Sequence, residues 1–366
     1  MNELERARQE IDAVDAEMAA CFTRRMAAVE AVVAYKKAHG LPILDSGRED
    51  VVLQKNLARI QNEAYKPYYA DYLKYNMALS RQYQAAILGQ DKVAYQGVEG
   101  AYAHIALGRL FPHAQAVSYP TWGDVFSAVE AGDAAFGVVP FENSHAGDVS
   151  AVLDLCYNHK LYISEVYDLT VNHCLLGLPD AQLSDIREVY SHQQAIAQSE
   201  KFLHMLHLPA HAMDNTAMAA QFVAEGGDKT KAAIASAETA KLYGLRILAE
   251  GVNTDGDNTT RFIVLSRQCH GSGNRFSILF TVDNKPGKLA QVIQKIGEMG
   301  FNMESIKSRP MPRTPFEYYF YAELVGSPED AGTKTLLAAL GDICRTVRLL
   351  GVYRKCGGRT QRARER

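Results

Sequence analysis

Hydrophobic positions divide the chain into three stretches with different periodicities. From Glu3 to His39 there is no glycine or proline, and apolar residues recur at steps of three, four or seven, which predicts one long helix. At about 1.5 Å per residue this helix would be roughly 55 Å long, more than a compact domain of this size can cover. We therefore expect a second chain to cover the excess. The repeating positions are Leu4, Ile11, Val14, Met18, Phe22, Val29 and Val32.

Two shorter helices complete the first stretch, residues 1–89. Gly40-Leu41-Pro42 ends the long helix, and Ser46-Gly47-Arg48-Glu49 has the form of a capping box that would start a second helix, ending near Asn62. Pro67 suits the first turn of a third helix, which would end at Gly89. The first stretch is thus predicted to be an all-α, three-helix domain.

From Val93 onward, short β-rich runs alternate with helical patterns, which is typical of an α/β domain. We place this domain at residues 92–268. Its predicted strands are 93–96, 134–139, 162–169, 174–178, 188–190, 232–235 and 262–266.

A polar, glycine-containing linker at residues 268–274 leads into a third domain at 275–355. The order βαββαβ and the turn Asn284-Lys285-Pro286-Gly287 before the first helix predict a ferredoxin-like α+β unit. We expect the basic residues 357–366 to form a disordered tail. The predicted elements are strand 276–282, helix 288–299, strands 301–308 and 317–324, helix 328–340 and strand 347–353.

Composition narrows the function classes. A net charge of -3, spread over interspersed acids and bases, gives no general attraction to nucleic acid or membrane. The six cysteines form no CxxC pair, which argues against a disulfide framework and a zinc site. Gly97 to Gly100 lacks the G-x-G-x-x-G spacing, so no nucleotide cofactor is expected. Without a signal peptide or an apolar run of 18 residues, the chain is predicted to be cytoplasmic.

The helical domain carries more cations than acidic partners, which indicates an anion pocket. Arg25 and Lys36 are 11 residues apart, a rotation of about 20°, so both point to one side of the long helix. Arg8 lies roughly 25 Å from Arg25 along the axis and about 100° round it. Either Arg8 is solvated, or it reaches the site of a second, intertwined protomer. For the other charged residues, the alternative is that they are ordinary solvent-exposed side chains. Glu49 could simply complete the capping box.

This domain resembles the all-helical chorismate mutase domain of bifunctional chorismate mutase/prephenate dehydratases. The resemblance implies that three arginines hold the carboxylates of chorismate, with Arg8 supplied by the partner chain. It further implies that Lys36 and Gln84 donate to the breaking ether oxygen, that Glu49 accepts from the ring hydroxyl, and that the other two residues support them. The matched residues are Arg8, Arg25, Lys36, Asp45, Arg48, Glu49, Ser80 and Gln84.

Polar clusters in the α/β domain lie where open sheets usually bind ligands. They comprise the strand end Val139 to Ser144, the pair Ser191 and Gln198 across a helix start, and Asn258 to Phe262 before the last strand. Capping or turn chemistry is the alternative for each cluster. Together they resemble the prephenate dehydratase domain, which implies two α/β lobes with the substrate in the cleft between them.

The resemblance places the catalytic role on Thr260, whose hydroxyl would donate a hydrogen bond or relay a proton, with Glu142 as a rival acid. Arg261 would pair with a carboxylate of either the substrate or the protein. Ala101 and Ala103 replace residues that often carry hydroxyls in this family, and Gln193 replaces a common proline, which puts one substrate contact in doubt. The expected substrate-binding residues are Glu142, Asn143, Ser144, Ser191, Gln198, Arg261 and Phe262.

The third domain resembles an ACT domain, a regulatory unit that binds amino acids between paired copies. Gly287-Lys288-Leu289 and Ser308-Arg309-Pro310 match the two phenylalanine-sensing motifs of that family, although Lys307 stands where a glutamate is usual. The resemblance therefore implies inhibition by phenylalanine. A plain dimerisation module is the alternative.

We interpret the chain as a bifunctional enzyme that converts chorismate through prephenate to phenylpyruvate, as a homodimer or higher oligomer. One alternative is an amino-acid sensor whose enzyme-like domains only hold ligand. Another is an arogenate dehydratase, which needs an ammonium-accepting group that the sequence does not identify.

Overall fold

The computed structural model describes residues 2–89, 91–254, 258–269, 273–311, 314, 316–327, 331–353 and 355–357. The chain divides into two compact units, residues 1–91 and 92–366. No helix of the described ranges is long and apolar enough to cross a membrane.

The first unit is helical. Its elements are α1 (Glu3–His39), α2 (Ser46–Leu57), a short 3₁₀ turn (Glu63–Tyr65) and α3 (Lys66–Ile87). The long helix predicted from the apolar spacing is confirmed. Asn2 and Glu5 form a capping box at its start, and Gly40 ends it with a left-handed φ of 63°. Pro67 lies in the first turn of α3, as predicted.

The predicted capping box of α2 is wrong. Asp45 is the N-cap residue, and its Oδ1 accepts from the Arg48 backbone N–H at 2.9 Å. Ser46 is therefore the first residue of the helix rather than its N-cap. The helix also ends at Leu57, earlier than expected, because residues 58–62 lead into the 3₁₀ turn.

The second unit begins with two α/β layers. The first sheet has the order β2-β1-β3-β11-β5, and the second has the order β10-β6-β9-β7-β8. The strands are β1 (Lys92–Gln96), β2 (Gln115–Tyr119), β3 (Phe136–Asn143), β4 (Gly147–Asp148), β5 (Tyr162–Thr170), β6 (Cys174–Gly177), β7 (Glu188–His192), β8 (Ala210–Met213), β9 (Lys231–Ala235), β10 (Arg246–Ala249) and β11 (Thr259–Ser266). The helices are α4 (Tyr102–Leu110), α5 (Trp122–Ala131), α6 (Ser150–Asn158), α7 (Gln193–Gln198), α8 (Glu200–Met205), α9 (Thr216–Gly226) and α10 (Ala237–Leu242), with a 3₁₀ turn at Leu183–Asp185.

A bulge in β3 determines which side chains point into the space between these sheets. Phe262 pairs with Pro140 and Arg261 pairs with Glu142, so one extra residue lies in β3. Pro140 is tolerated within the sheet because a bulge does not require its missing N–H. Beyond the bulge, Asn143 lies opposite Thr260.

The last part has the predicted βαββαβ order. Its strands form a sheet in the order β13-β14-β12-β15, with all neighbours antiparallel, and β15 and β16 join it to β5 in parallel pairing. Gly357 belongs to β16, so the predicted disordered tail does not begin there. Residues 358–366, like the predicted helix start at 328–330, lie outside the described residues. The elements are β12 (Arg275–Thr281), α11 (Lys288–Glu298), β13 (Asn302–Pro310), β14 (Tyr318–Val325), α12 (Ala331–Ile343), β15 (Thr346–Tyr353) and β16 (Lys355–Gly357).

Candidate active sites

Polar side chains occupy the contact between α1 and α3 in the helical unit. The guanidinium of Arg25 donates to Ser80 Oγ, which in turn donates to the Asn76 carbonyl at 2.8 Å. Ser80 and Gln84 are 4% and 7% exposed, and the Oε1 atom of Gln84 is buried with no partner among the described residues. Burying such groups is costly unless they are paired. The contact between α1 and α3 therefore differs from an ordinary helix contact, because it buries polar rather than apolar side chains.

The other predicted residues of this unit pair elsewhere or are exposed. Glu49 on α2 pairs with Arg81 on α3, a partner that the sequence reasoning missed because a single arginine carries no motif. Lys36 donates to the Ile43 carbonyl. Asp45 is engaged as the N-cap of α2, and the remaining predicted cations, Arg8 and Arg48, are exposed.

A cleft of about 780 Å³ lies between the two sheets of the second unit. This volume suits a small-molecule ligand. Ala101 and Ala103 both line it, so the hydroxyls expected from the family would have faced this cleft. Four predicted site residues line it, together with Asn258 of a predicted cluster and further residues that the sequence reasoning did not select. The four are Asn143, Gln198, Thr260 and Phe262, and the further residues include Tyr102 and His173.

The orientation of the Asn143 amide follows from its surroundings. Its Oδ1 accepts from the backbone N–H groups of His145 and Ala146, both at 3.0 Å. Its Nδ2 must therefore point the other way, where it donates to Thr260 Oγ1 at 2.9 Å. Because Thr260 Oγ1 accepts this bond, its own proton remains available to donate.

Glu142 and Arg261 lie on the opposite face of the β3–β11 pair, because side chains alternate along a strand. Arg261 makes a forked ion pair with Asp168 at 2.8 and 3.2 Å and also reaches Glu142 at 3.3 Å. Glu142 is 3.0 Å from the ammonium of Lys307. Glu142 therefore does not line the cleft as predicted. Of the two alternatives for Arg261, the structure shows pairing with carboxylates of the protein.

Two predicted serines also hold the scaffold rather than line the cleft. Ser191 is fully buried and donates to the Ile234 carbonyl at 2.6 Å. Ser144 is exposed, and its Oγ accepts from the Thr259 backbone N–H at 3.0 Å. Both therefore connect backbone segments that are distant in sequence, a structural role. Within the described ranges, no group of three or more His, Cys, Asp or Glu side chains could hold a metal ion.

In the βαββαβ part, Gly287 caps α11 with a φ of 81°, a left-handed conformation that favours glycine. Lys288 begins the helix, and Leu289 packs against the core. The β13 residues alternate, so Ser308 and Pro310 are exposed.

Arg309 of β13 faces the dehydratase-like part and makes a forked ion pair with Asp154 of α6 at 3.0 and 2.6 Å. This pair lowers the pKa of Asp154, and a hydrogen bond from Tyr319 acts in the same direction. In this structure, Arg309 therefore connects two parts of the second unit.

Comparison with known families agrees with both halves of this description. Residues 7–85 match the family chorismate mutase type II, and residues 93–270 match prephenate dehydratase. Arogenate dehydratase/prephenate dehydratase 2, chloroplastic, of Arabidopsis thaliana is 36% identical over 275 residues, covering 72% of each chain.

Solved structures show the same relationship. Prephenate dehydratase of Arthrobacter aurescens, solved with L-Phe, aligns with a TM-score of 0.67 at 27% identity, over 72% of this chain and 90% of that one. GqqA, described as a novel type of quorum quenching acylase, aligns with a TM-score of 0.68 at 31% identity, over 74% of this chain and 99% of that one. The chain therefore belongs to the prephenate dehydratase family and carries a chorismate mutase type II domain ahead of its prephenate dehydratase domain.

Proposed function

We propose that the chain is a bifunctional enzyme that rearranges chorismate to prephenate and then converts prephenate to phenylpyruvate. The observation that carries the second step is the Thr260 hydroxyl, which Asn143 orients within the cleft. The first step is supported by the buried polar contact between Arg25, Ser80 and Gln84. The presence of both domains in one chain is consistent with consecutive reactions.

The mutase step requires electrostatic stabilisation but no proton transfer. Arg25 and Arg48, with Arg8 from a partner chain, would hold the two carboxylates of chorismate in a reactive pose. Lys36 and Gln84 would donate to the ether oxygen as negative charge develops on it. On substrate binding, Lys36 would exchange its bond to the Ile43 carbonyl for this one.

The surface of α1 supports a partner chain at this site. Five apolar side chains on its first half are more than two-fifths exposed, and they follow the spacing of a continuous stripe. Such a stripe is typical of a helix covered by another copy. It consists of Leu4, Ile11, Val14, Met18 and Phe22.

The dehydratase step breaks two bonds of prephenate. Cleavage of the bond to the ring carboxylate releases CO₂, and its electron pair enters the ring as the C–O bond to the hydroxyl breaks. Thr260 donates a hydrogen bond to that departing oxygen, which leaves as water after taking up one proton that comes in net from solvent. Gln198 also lines the cleft and would present its amide N–H groups to a substrate carboxylate.

Arogenate is the second candidate substrate. It carries an ammonium where prephenate has a keto group, and Asp214 lines the cleft as a carboxylate that could accept it. The Arabidopsis relative is named for both activities. An Asp214→Asn variant should lose arogenate turnover selectively if this contact forms.

Phenylalanine is the proposed inhibitor, acting at the ACT-like part through the motifs at Gly287 and Arg309. The Arthrobacter relative was solved with L-Phe. Dehydratase activity that is unchanged at saturating phenylalanine would rule out this regulation. The sensor alternative predicts the opposite pattern, ligand binding without turnover.

One experiment tests both steps in the full chain. Purified protein is supplied with chorismate, and chorismate, prephenate and phenylpyruvate are followed for wild type, Arg25→Ala, Thr260→Ala and Thr260→Ser. We expect Arg25→Ala to leave chorismate unused and Thr260→Ala to accumulate prephenate, while Thr260→Ser retains the donor and part of the activity. If wild type leaves chorismate untouched, the mutase assignment fails; if it accumulates prephenate, the dehydratase assignment fails.

A further inference from the structure

A continuous chain of side-chain hydrogen bonds runs along the cleft and connects residues of the first lobe to Gln198 of the second lobe. Five bonds of 2.8 to 3.0 Å connect six side chains that are far apart in sequence. His173 and Asn258 are each 2% exposed, so water cannot readily replace their partners. The chain passes in order through Thr260, Asn143, Asn258, Gln198, His173 and Tyr102.

The direction of the first bonds follows from the backbone. Because Asn143 Oδ1 accepts from two backbone N–H groups, its Nδ2 donates to both Thr260 Oγ1 and Asn258 Oδ1. Asn258 must then present its own Nδ2, which donates to Gln198 Oε1 at 2.8 Å. Each amide therefore has only one orientation that satisfies its neighbours.

The remaining bonds determine the tautomer of His173. Since Gln198 Oε1 is an acceptor, His173 Nε2 must carry the proton that it donates at 3.0 Å. The other ring nitrogen, Nδ1, then accepts from the Tyr102 hydroxyl at 2.9 Å. Burial lowers the pKa of His173, which favours this neutral form.

We propose that His173 and Asn258 are positioning residues of the dehydratase reaction. Together they hold Gln198 with its oxygen turned into the protein, so that the Gln198 N–H groups are presented to the substrate. Through Asn143, Asn258 also helps to hold the Thr260 hydroxyl as a donor. This inference rests on the proposed function of the cleft, because it assigns these residues to the same reaction.

Two substitutions at His173 test the role of its N–H donor. His173→Leu fills a similar volume but removes both the donor and the acceptor, whereas His173→Gln has an amide that can donate to Gln198 and accept from Tyr102. With prephenate as substrate, we expect His173→Leu to lower kcat/KM on the order of 10²-fold and His173→Gln to recover most of that loss. Chorismate mutase activity and the thermal unfolding of the same chains serve as controls for folding.

The outcomes are distinguishable. Wild-type kcat/KM in a folded His173→Leu variant would overturn the inference, as would equal losses in both variants with unchanged unfolding temperatures. If His173→Leu does not fold, Asn258→Asp is used to test the proposal instead. This substitution replaces the Nδ2 donor to Gln198 with an oxygen of the same size. An Asn258→Asp enzyme with wild-type kcat/KM would refute the proposal. If wild type turns over neither prephenate nor arogenate, the proposed function itself fails, before any variant is compared.

Discussion

Replacing Lys307 with methionine should destabilise the second unit far more than an ordinary surface lysine does. The Lys307 ammonium is 3.0 Å from Glu142 Oε1 and also contacts the Asp148 carboxylate. Its side chain is only 9% exposed, and it lies 5.5 Å from the centre of the Phe141 ring. Methionine keeps most of the apolar stem, so the substitution isolates the loss of charge.

The expected loss in the free energy of unfolding lies between the values for breaking exposed and fully buried ion pairs. At 3 Å and an effective dielectric constant of about 20, each contact is worth roughly 5 kcal/mol before the cost of removing the charges from water. Exposed pairs contribute about 0 to 1 kcal/mol net, whereas breaking a buried pair costs about 3 to 5 kcal/mol. Glu142 keeps Arg261 as a partner, so we expect a loss of about 2 to 4 kcal/mol.

Tryptophan fluorescence provides the assay, because Trp122 is the single tryptophan of the chain and belongs to the second unit. When urea unfolding of the full chain is followed by Trp122 fluorescence, Lys307→Met should show this decrease in the free energy of unfolding. Lys295→Met is the matched control, since Lys295 pairs with Glu298 at 2.8 Å but is 37% exposed, and should change stability by less than about 1 kcal/mol. Equal shifts of the two variants would refute the reasoning.

Three further predictions concern other parts of the chain. Asn143→Asp puts an oxygen in place of the donor to Thr260, and prephenate kcat should fall on the order of 10²-fold, measured beside an unchanged mutase rate. Asp45→Ala removes the cap of α2 and should cost the helical unit about 0.5 to 2 kcal/mol by circular dichroism. The ion pair with Arg309 lowers the pKa of Asp154 in the folded protein. The pair therefore contributes fully to stability above the pKa of an unfolded aspartate, about 3.9, and this contribution is lost as the pH falls through the pKa of folded Asp154. The stability difference between wild type and Asp154→Asn should therefore shrink as the pH approaches 3.

The fold could be predicted where hydrophobic periodicity reflects burial. The strands that the sequence reasoning did not find are β2, β8 and β10, which each form an edge of their sheet, and the short strands β4 and β16. Edge strands here are only partly buried, as the exposed and half-buried residues of β8 show, so they carry no continuous apolar run. The start of α2 was placed one residue late because Asp45 and Ser46 are both good N-cap residues, and only the hydrogen bond to Arg48 distinguishes them.

The cleft was predicted only in part, for a different reason. Sequence clusters identified Thr260, Asn143 and Gln198, but His173 and Tyr102 belong to no cluster and meet these residues only through the fold. A lone histidine or tyrosine carries no signal in a single sequence. Their contribution follows from the direction of hydrogen bonds, which requires coordinates.

The segment from Val139 to Ser144 shows that neighbouring residues of one sequence motif can have different roles. Because the strand period is two, Asn143 faces the cleft while Glu142 faces Lys307, and a shift by one residue would exchange them. The bulge beside Pro140 determines this choice. Glu142 and Asn143 share a peptide bond, so the residue that contacts Lys307 of β13 directly adjoins the residue that orients Thr260. If phenylalanine inhibits the dehydratase as proposed, this peptide provides a physical route that requires no contact between the inhibitor and the cleft.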